Sequence, residues 1–516
     1  MKKVLLVVID ALATRVVKPA LARGDLPRLA EIVSAGGMND ACLSSFPSIT
    51  PAATACIATG RYPHQHGIAG AFWYDRDRKK VAYHGDDFWV IVNQGLANFF
   101  HDFLIDLNYK RLRSDTIFEL VERSGLQSCV INYMWFRGDV EHQVNVPLLL
   151  ELLPGVRFAP RIKGPAVCDV ADFIRSPHAQ TLNGCGGLLR RFGFHDETTG
   201  DYLLQLSDAG PLPDFTLAYF PNNDFESHRV GAVSALPVLQ RVDERLGEFI
   251  DSRGGLQQLL DEAAVIITGD HSQSDLEPEP ADREIDLTEI LDGFRLVAGG
   301  ADWGDDDEIM ACPNMRTAQI YFSPTLETNQ REEAAARLRE HARVDQVIRA
   351  VEDRSVPDRL RFHVVAGEQR ALTFHRAEDP GPGLLRDVHG NNWQVEGDLS
   401  VVDAEHTGDG SIAYGKYPNA FERIATSFTR TTGDLLVTAR LGSEFRISAT
   451  ETHPCGSHGS LHFLDSTAPL ITAGVPEDVE IPEFPRIVDV VPLSLGILGL
   501  RDRAETLKRE VMIRPD

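Results

Sequence analysis

Three short stretches of this chain are apolar at nearly every position, and each runs into an aspartate: VLLVVID at 4–10, FTLAYFPNND at 215–224 and AAVIITGD at 263–270. A strand that faces water on one side alternates apolar and polar residues. A strand apolar throughout is buried on both faces, as in a parallel sheet covered by helices. Helical patterns at 26–35 and 234–252 lie between these strands, and a helix at 114–124 leads into a strand at 128–133. Ser114 or Asp115 is the expected N-cap of that helix. This βαβ rhythm predicts an α/β fold with a mostly parallel central sheet sandwiched by helices.

The rhythm changes after residue 275. An acidic, Pro-rich stretch at 276–281 and a turn-rich acidic one at 299–308 precede a small α+β pattern: strands near 315–322, 344–352 and 360–374, and a helix at 330–340. Residues 375–450 read as loop-rich, and 487–500 as an apolar helix of the main core. The expected organisation is a catalytic α/β core from 1–275, an inserted α+β cap or lid from 276–450, and a return to the core at 451–516. There is no internal repeat or low-complexity tract.

Charge narrows the partners. The chain carries 51 Lys+Arg against 76 Asp+Glu, a net charge of −25, and no basic cluster. This argues against a nucleic-acid backbone as partner. No apolar run approaches the ~20 residues of a membrane span. The N-terminal apolar run, cut short by Asp10, is too brief for a secretory signal core. Seven cysteines at 42, 56, 129, 168, 185, 312 and 455 are scattered, with no CxxC pair, which suits reduced thiols and a cytoplasmic location. An anionic substrate would need strong positive charge in the site, and bound metal is the first source.

The strand-end aspartates supply such a site. In an open parallel sheet the carboxyl ends of the strands share one crevice. Asp10, Asp224 and Asp270 delivered there repel one another unless cations hold them. One aspartate after a strand is ordinarily a cap or turn residue, but histidines accompany these. His228 lies four residues after Asp224, His271 follows Asp270 directly, and His458 sits in the glycine-flanked CGSHGS loop. Imidazole with carboxylate suits Zn²⁺ and its divalent neighbours. In SSFPSITPAATACIATGRYPHQHGI, Thr50 precedes Pro51 and a small-residue helix at 52–58. Its hydroxyl would stand at a helix N-terminus, as a cap, as a nucleophile, or as both.

As a set, Asp10, Thr50, Asp224, His228, Asp270, His271 and His458 resemble the alkaline phosphatase superfamily. More narrowly they resemble the type I phosphodiesterase / nucleotide pyrophosphatase family, over residues 1–275 and 451–516. Thr50 stands ten residues before Gly60 of a Thr-Gly pair, and Tyr62-Pro63 and His66-Gly67-Ile68 follow, as in that family. The resemblance implies an alkaline phosphatase-like fold and two divalent cations, zinc first and manganese as the alternative. Asp10, Thr50, Asp270 and His271 would hold one cation, and Asp224, His228 and His458 the other. It also implies Thr50 as the nucleophile toward a nucleotide or another small phosphodiester.

The sequence departs from the family at three places. Ala71 stands where an asparagine usually contacts a phosphate oxygen, Asn223-Asp224 replaces Pro-Asp, and Ala53-Thr54 replaces an Asn-His pair. Asn222 or Asn223 is the candidate to supply the lost polar contact. Phe72, Trp73 and Tyr74 either pack in the core or border a leaving-group pocket, and Asp86, Asp87, Phe88 and Trp89 carry the same two readings. The alternatives to a diesterase are a phosphonoacetate-hydrolase-like phosphonatase, a phosphomonoesterase, and an inactive metal- or partner-binding homologue. A sulfatase is disfavoured because threonine cannot become formylglycine. The sequence does not indicate an oligomeric state.

Overall fold

The computed structural model describes residues 2–85, 101–145, 161–179, 191, 193–352, 360–367 and 370–513. Its central sheet is built from β1 (Lys3–Ile9), β2 (Gly36–Leu43), β3 (Ser128–Ile131), β4 (Val167–Asp169), β5 (Phe215–Phe220), β6 (Ala263–Thr268) and β7 (Thr467–Ala473). The spatial order is β2-β7-β6-β1-β5-β3-β4. The five strands from β6 to β4 run parallel. At the other edge, β7 lies antiparallel between β6 and β2. The sheet is therefore mostly parallel, as the apolar runs predict.

The two-residue period of β1 splits its side chains between two cores. Val4, Leu6 and Val8 join one apolar cluster, and Leu5, Val7 and Ile9 the other, so both faces of the strand are covered. Helix α1 (Thr50–Thr59) is made of small residues and packs on the first side, buried from Pro51 onward. Helices α2 (Asn222–Val230) and α3 (Leu236–Ser252) follow β5. Leu239, Val242, Leu246, Phe249 and Ile250 form the helical stripe with which α3 covers the second side. The register pairs Val8 with Thr268 and Ile9 with Phe220. The chain therefore leaves β6, β1 and β5 side by side at one edge.

A second, eight-stranded sheet is antiparallel throughout. Strand Leu435–Ala439 inserts between Thr317–Phe322 and Val344–Glu352. Residues 375–450 thus hold more regular structure than the sequence suggests, including strands Asn392–Gly397 and Leu435–Ala439 and helix Ala420–Ser427. NWQVEG buries only Trp393 fully, and LLVTA is five residues long, so neither shows a readable period. The helix expected at 114–124 spans Ile117–Glu122 and is capped by Thr116 rather than Ser114 or Asp115. Thr116 Oγ1 accepts from Glu119 N at 3.2 Å, and Glu119 Oε2 accepts from Thr116 N at 2.8 Å, a reciprocal box. The reading of Asp86 to Trp89 lies outside the described residues.

Among the described residues no helix is long and apolar enough to cross a membrane. Cys42, Cys56, Cys129, Cys168, Cys312 and Cys455 are free thiols.

Candidate functional site

The three parallel strand ends deliver the acids. Asp10 follows β1, Asp270 and His271 follow β6, and α2 carries Asp224 in its first turn and His228 one turn later. All five are buried. The chain turns sharply after Asp10, with Ala11 at φ +53°, a conformation that a non-glycine residue adopts only when its surroundings hold it. Here Ala11 N donates to Asp270 Oδ1 at 3.2 Å. The Asn223 amide donates to the carbonyls of Asp10 and Ala11 at 2.8 and 3.1 Å. Asn223 therefore braces the end of β1 with the amide nitrogen that the sequence reading offered to substrate.

His458 arrives from the CGSHGS loop, which pairs with the chain beyond β6 through Ser274 and Ser457. Glycine is required in this loop. A Cβ on Gly456 would meet Ser227 O at 2.4 Å, and Gly459 adopts φ +116° against Asn314 O.

Each imidazole is fixed by a backbone carbonyl. His228 Nδ1 lies 2.7 Å from Gly456 O, His458 Nδ1 2.7 Å from Ser48 O, and His271 Nδ1 3.1 Å from Ser272 O. A carbonyl only accepts, so each Nδ1 carries the proton and each Nε2 presents a lone pair. These lone pairs face carboxylates. His228 Nε2 is 3.3 Å from Asp224 Oδ2, and His458 Nε2 is 3.5 Å from Asp224 Oδ1. His271 Nε2 is 3.4 Å from Asp270 Oδ2 and 3.5 Å from Asp10 Oδ1.

Four of these atoms, Asp10 Oδ1, Asp270 Oδ2, His228 Nε2 and His458 Nε2, are buried with no hydrogen-bond partner among the described residues. Orphaned buried polar atoms cost about 1–3 kcal/mol each and are rare in folded proteins. Their convergence is the arrangement a cation satisfies. Asp10, Asp270 and His271 form one set of donors within 4.8 Å of one another, and Asp224, His271 and His458 a second. His271 belongs to both, and His228 adjoins the second set through Asp224. The mixed N/O donors fit a divalent ion such as Zn²⁺.

The electrostatics follow from crowding. Burial, then the charges of Asp270 and Asp224, push the Asp10 carboxyl well above its usual range. Burial also raises Asp270, against the pull of His271. Burial depresses His458, which keeps its imidazole neutral.

Thr50 is the first residue of α1, and the cap position belongs to Ile49, which has no side-chain cap bond. The Thr50 hydroxyl is thus free of capping and lies 3.0 Å from His271 Nε2, to which it donates, given the tautomer above. Thr54 donates its hydroxyl to the Thr50 carbonyl. It is held in turn by Trp135 Nε1 at 2.9 Å and, through its carbonyl, by the Tyr133 hydroxyl at 2.6 Å.

Phe72 and Trp73 are 2% and 1% exposed and lie in the core. Trp73 sits under the Arg111 guanidinium at 5.5 Å. The structure gives them packing rather than a pocket border. Ala71 N and Phe72 N donate to Asn314 Oδ1 at 2.7 and 3.0 Å, so Asn314 is committed to the backbone.

Sequence reasoning missed several neighbours of the acids. The Tyr219 hydroxyl donates to Asp10 Oδ2. Gln273 Nε2 donates to Asp224 Oδ1 at 2.6 Å. His453 stacks on His228 at 3.9 Å with its Nδ1 2.7 Å from Glu444 Oε1. A buried tyrosine needs a partner for its hydroxyl, and Tyr219 lies in a fully buried strand, so that signal was available. Gln273 stands within the TGDHSQSD motif itself.

The family model for type I phosphodiesterase / nucleotide pyrophosphatase matches residues 4–460, a span that includes the second sheet. Among solved structures, human ectonucleotide pyrophosphatase / phosphodiesterase 5 is similar in fold, with a TM-score of 0.54 at 15% sequence identity. The alignment covers 96% of this chain and 95% of that one. No curated protein matches the chain in sequence.

Proposed function

The chain belongs to the type I phosphodiesterase / nucleotide pyrophosphatase family and is a phosphodiester hydrolase; from that premise we propose that Thr50 is its nucleophile and that two divalent cations are its cofactors. Asp10, Thr50, Asp270 and His271 would hold one cation, and Asp224, His228 and His458 the other. The observation that carries this reading is the position of the Thr50 hydroxyl, 3.0 Å from the one imidazole that both donor sets share. Bound there, the cations would relieve the repulsion among the three carboxylates, draw charge from a phosphoryl oxygen and lower the pKa of the Thr50 hydroxyl.

The rest is the work of the chain. Thr54 and Ile49 fix the first turn of α1, whose N-terminus favours an anion beside Thr50. Oγ1 passes its proton to solvent water and attacks phosphorus. The bond to the leaving oxygen breaks, and Thr50 is left as a phosphoryl ester. Water then attacks that phosphorus, and Thr50 leaves with its hydroxyl restored. Nucleotides and other small phosphodiesters or pyrophosphates are the substrate class. Zinc is the first choice of metal, with manganese the alternative. A cytoplasmic location belongs to the same proposal, on the free thiols of the six cysteines among the described residues.

The test is initial rates on bis-p-nitrophenyl phosphate and p-nitrophenyl phosphate after chelation and restoration of Zn²⁺ or Mn²⁺. Restored activity with the diester preferred is expected. Thr50→Ala should lose at least ~10³-fold in kcat while keeping two cations per chain. A monoester preference, or a Thr50→Ala variant that keeps most activity, would overturn the reading.

A further inference from the structure

Arg191 is an unusual residue beside the proposed centre. Its backbone lies in the left-handed region at φ +49°, where a side chain other than that of glycine, asparagine or aspartate is uncommon and strained. The turn is held by Phe194 N, which donates to Arg191 O at 3.1 Å. Asn132 Nδ2 donates to Gly193 O at 2.9 Å, two residues on. Strain maintained by its surroundings points to a purpose for where the side chain goes.

The Arg191 side chain folds back over the first turn of α2. Its guanidinium carbon lies 3.6 Å from the centroid of the Phe225 ring, and Nη2 donates to Asn222 Oδ1. Asn222 and Phe225 flank Asp224, so the guanidinium sits over the backbone that carries this acid. It is mostly buried, and the charge of Asp196 acts on it first, with those of Asp10 and Asp224 after it. Among the described residues no carboxylate pairs with it directly and none offers Nη1, which is buried, a hydrogen bond. Phe225 is 44% exposed, an apolar plate that orients the planar cation at the edge of the site. The stack and the Asn222 bond use one face and Nη2 of the guanidinium, and leave Nη1 to a ligand.

We propose that Arg191 binds a second anionic group of the substrate, a phosphoryl or carboxylate group next to the scissile bond, and that the Arg191–Phe225 pair sets a preference for substrates that carry one. This rests on the phosphoryl-transfer reading above. Cations at the two donor sets would take the oxygens of the reacting phosphoryl group, while Nη1 takes an oxygen of its neighbour in a charge-assisted hydrogen bond. A diester flanked only by neutral groups gains nothing from it.

The experiment is calorimetric titration of the metal-restored protein with inorganic phosphate, pyrophosphate and phosphonoacetate, in the wild type, Arg191→Ala and Arg191→Gln. Wild type should bind pyrophosphate or phosphonoacetate about 10–100-fold more tightly than phosphate, the worth of one charge-assisted bond. The better of the two probes identifies the second group as phosphoryl or carboxylate. Both variants should reduce the ratio to about threefold or less, with the loss falling on pyrophosphate or phosphonoacetate rather than on phosphate. Arg191→Gln keeps a polar partner for Asn222 and covers the case in which the alanine variant folds poorly.

The inference is overturned if wild type prefers neither dianion, or if the variants weaken phosphate by the same factor as pyrophosphate. Absence of ester turnover in the metal-restored wild type would instead defeat the proposed activity, and the binding ratio would still decide the role of Arg191.

Discussion

Arg316 and Asp465 form a fully buried ion pair that should hold His458 in place. Arg316 Nη1 lies 2.5 and 2.6 Å from the two Asp465 oxygens and 2.8 Å from Ser274 Oγ. Asp465 Oδ2 also accepts from Ser460 N at 3.0 Å and from Ser460 Oγ at 2.5 Å. The Arg316 backbone N–H donates to His458 O at 2.9 Å, and Thr317 Oγ1 to Gly459 O at 2.6 Å. The turn before strand Thr317–Phe322 therefore grips the loop 458–460 from both sides.

Arg316→Met fills the space but leaves Asp465 as an uncompensated buried charge, a change that typically costs about 3–5 kcal/mol. The two Ser460 bonds remain, so the lower end, about 3 kcal/mol, is expected. The urea midpoint should fall at an unchanged m-value. Because the loop carries a proposed ligand, metal affinity should weaken by about 10–100-fold. Adding Asp465→Asn removes the lone charge and keeps a partner for Ser460, so the double variant should recover at least half of the lost stability. A single variant within about 1 kcal/mol of wild type, or a double variant showing the plain sum of the two single effects, would refute the argument.

Other consequences follow from the same contacts. Tyr219→Phe removes the hydroxyl that donates to Asp10 and should weaken metal binding by about tenfold with the fold intact, read by titration against a competing chelator. In the metal-free protein burial, then the charges of Asp270 and Asp224, raise the Asp10 carboxyl, so loading the cations should release protons, increasingly as pH falls, measured by calorimetry in two buffers of different ionisation enthalpy. Burial, then the charge of His64, lowers His66 from 6.5 to about 3. The unfolded chain therefore binds a proton that the folded one refuses, and stability is lost as pH falls from about 6.5 toward 3. His66→Gln should flatten that loss by up to about 1.4 kcal/mol per pH unit, read from urea midpoints at pH 7.5, 6 and 5.

The acids of the site were legible because each ends a strand that nothing but a helix-covered parallel sheet explains. Their histidine companions were legible from spacing and glycine context. What holds them was not. Arg316 and Asp465 lie 149 residues apart, and neither stands in a motif. Tyr219 signals, as a tyrosine in a fully buried strand, that its hydroxyl needs a partner, but not that the partner is Asp10. Arg191 gains its meaning from a backbone conformation and from Phe225, neither visible as a pattern. Thr50 reads equally as a cap, and only the placement of Ile49 in that role frees its hydroxyl. The antiparallel sheet was underread because its later strands, such as Asn392–Gly397 and Leu435–Ala439, are too short to show a period.

The central claim is that Thr50 becomes covalently bonded to phosphorus during turnover. The most direct measurement is rapid acid quench of the metal-restored protein with bis-p-nitrophenyl phosphate, followed by peptide mapping by mass spectrometry. The account predicts a p-nitrophenyl phosphoryl adduct on Thr50, absent after chelation. Turnover with no adduct at any quench time, or an adduct on a different residue, would contradict it.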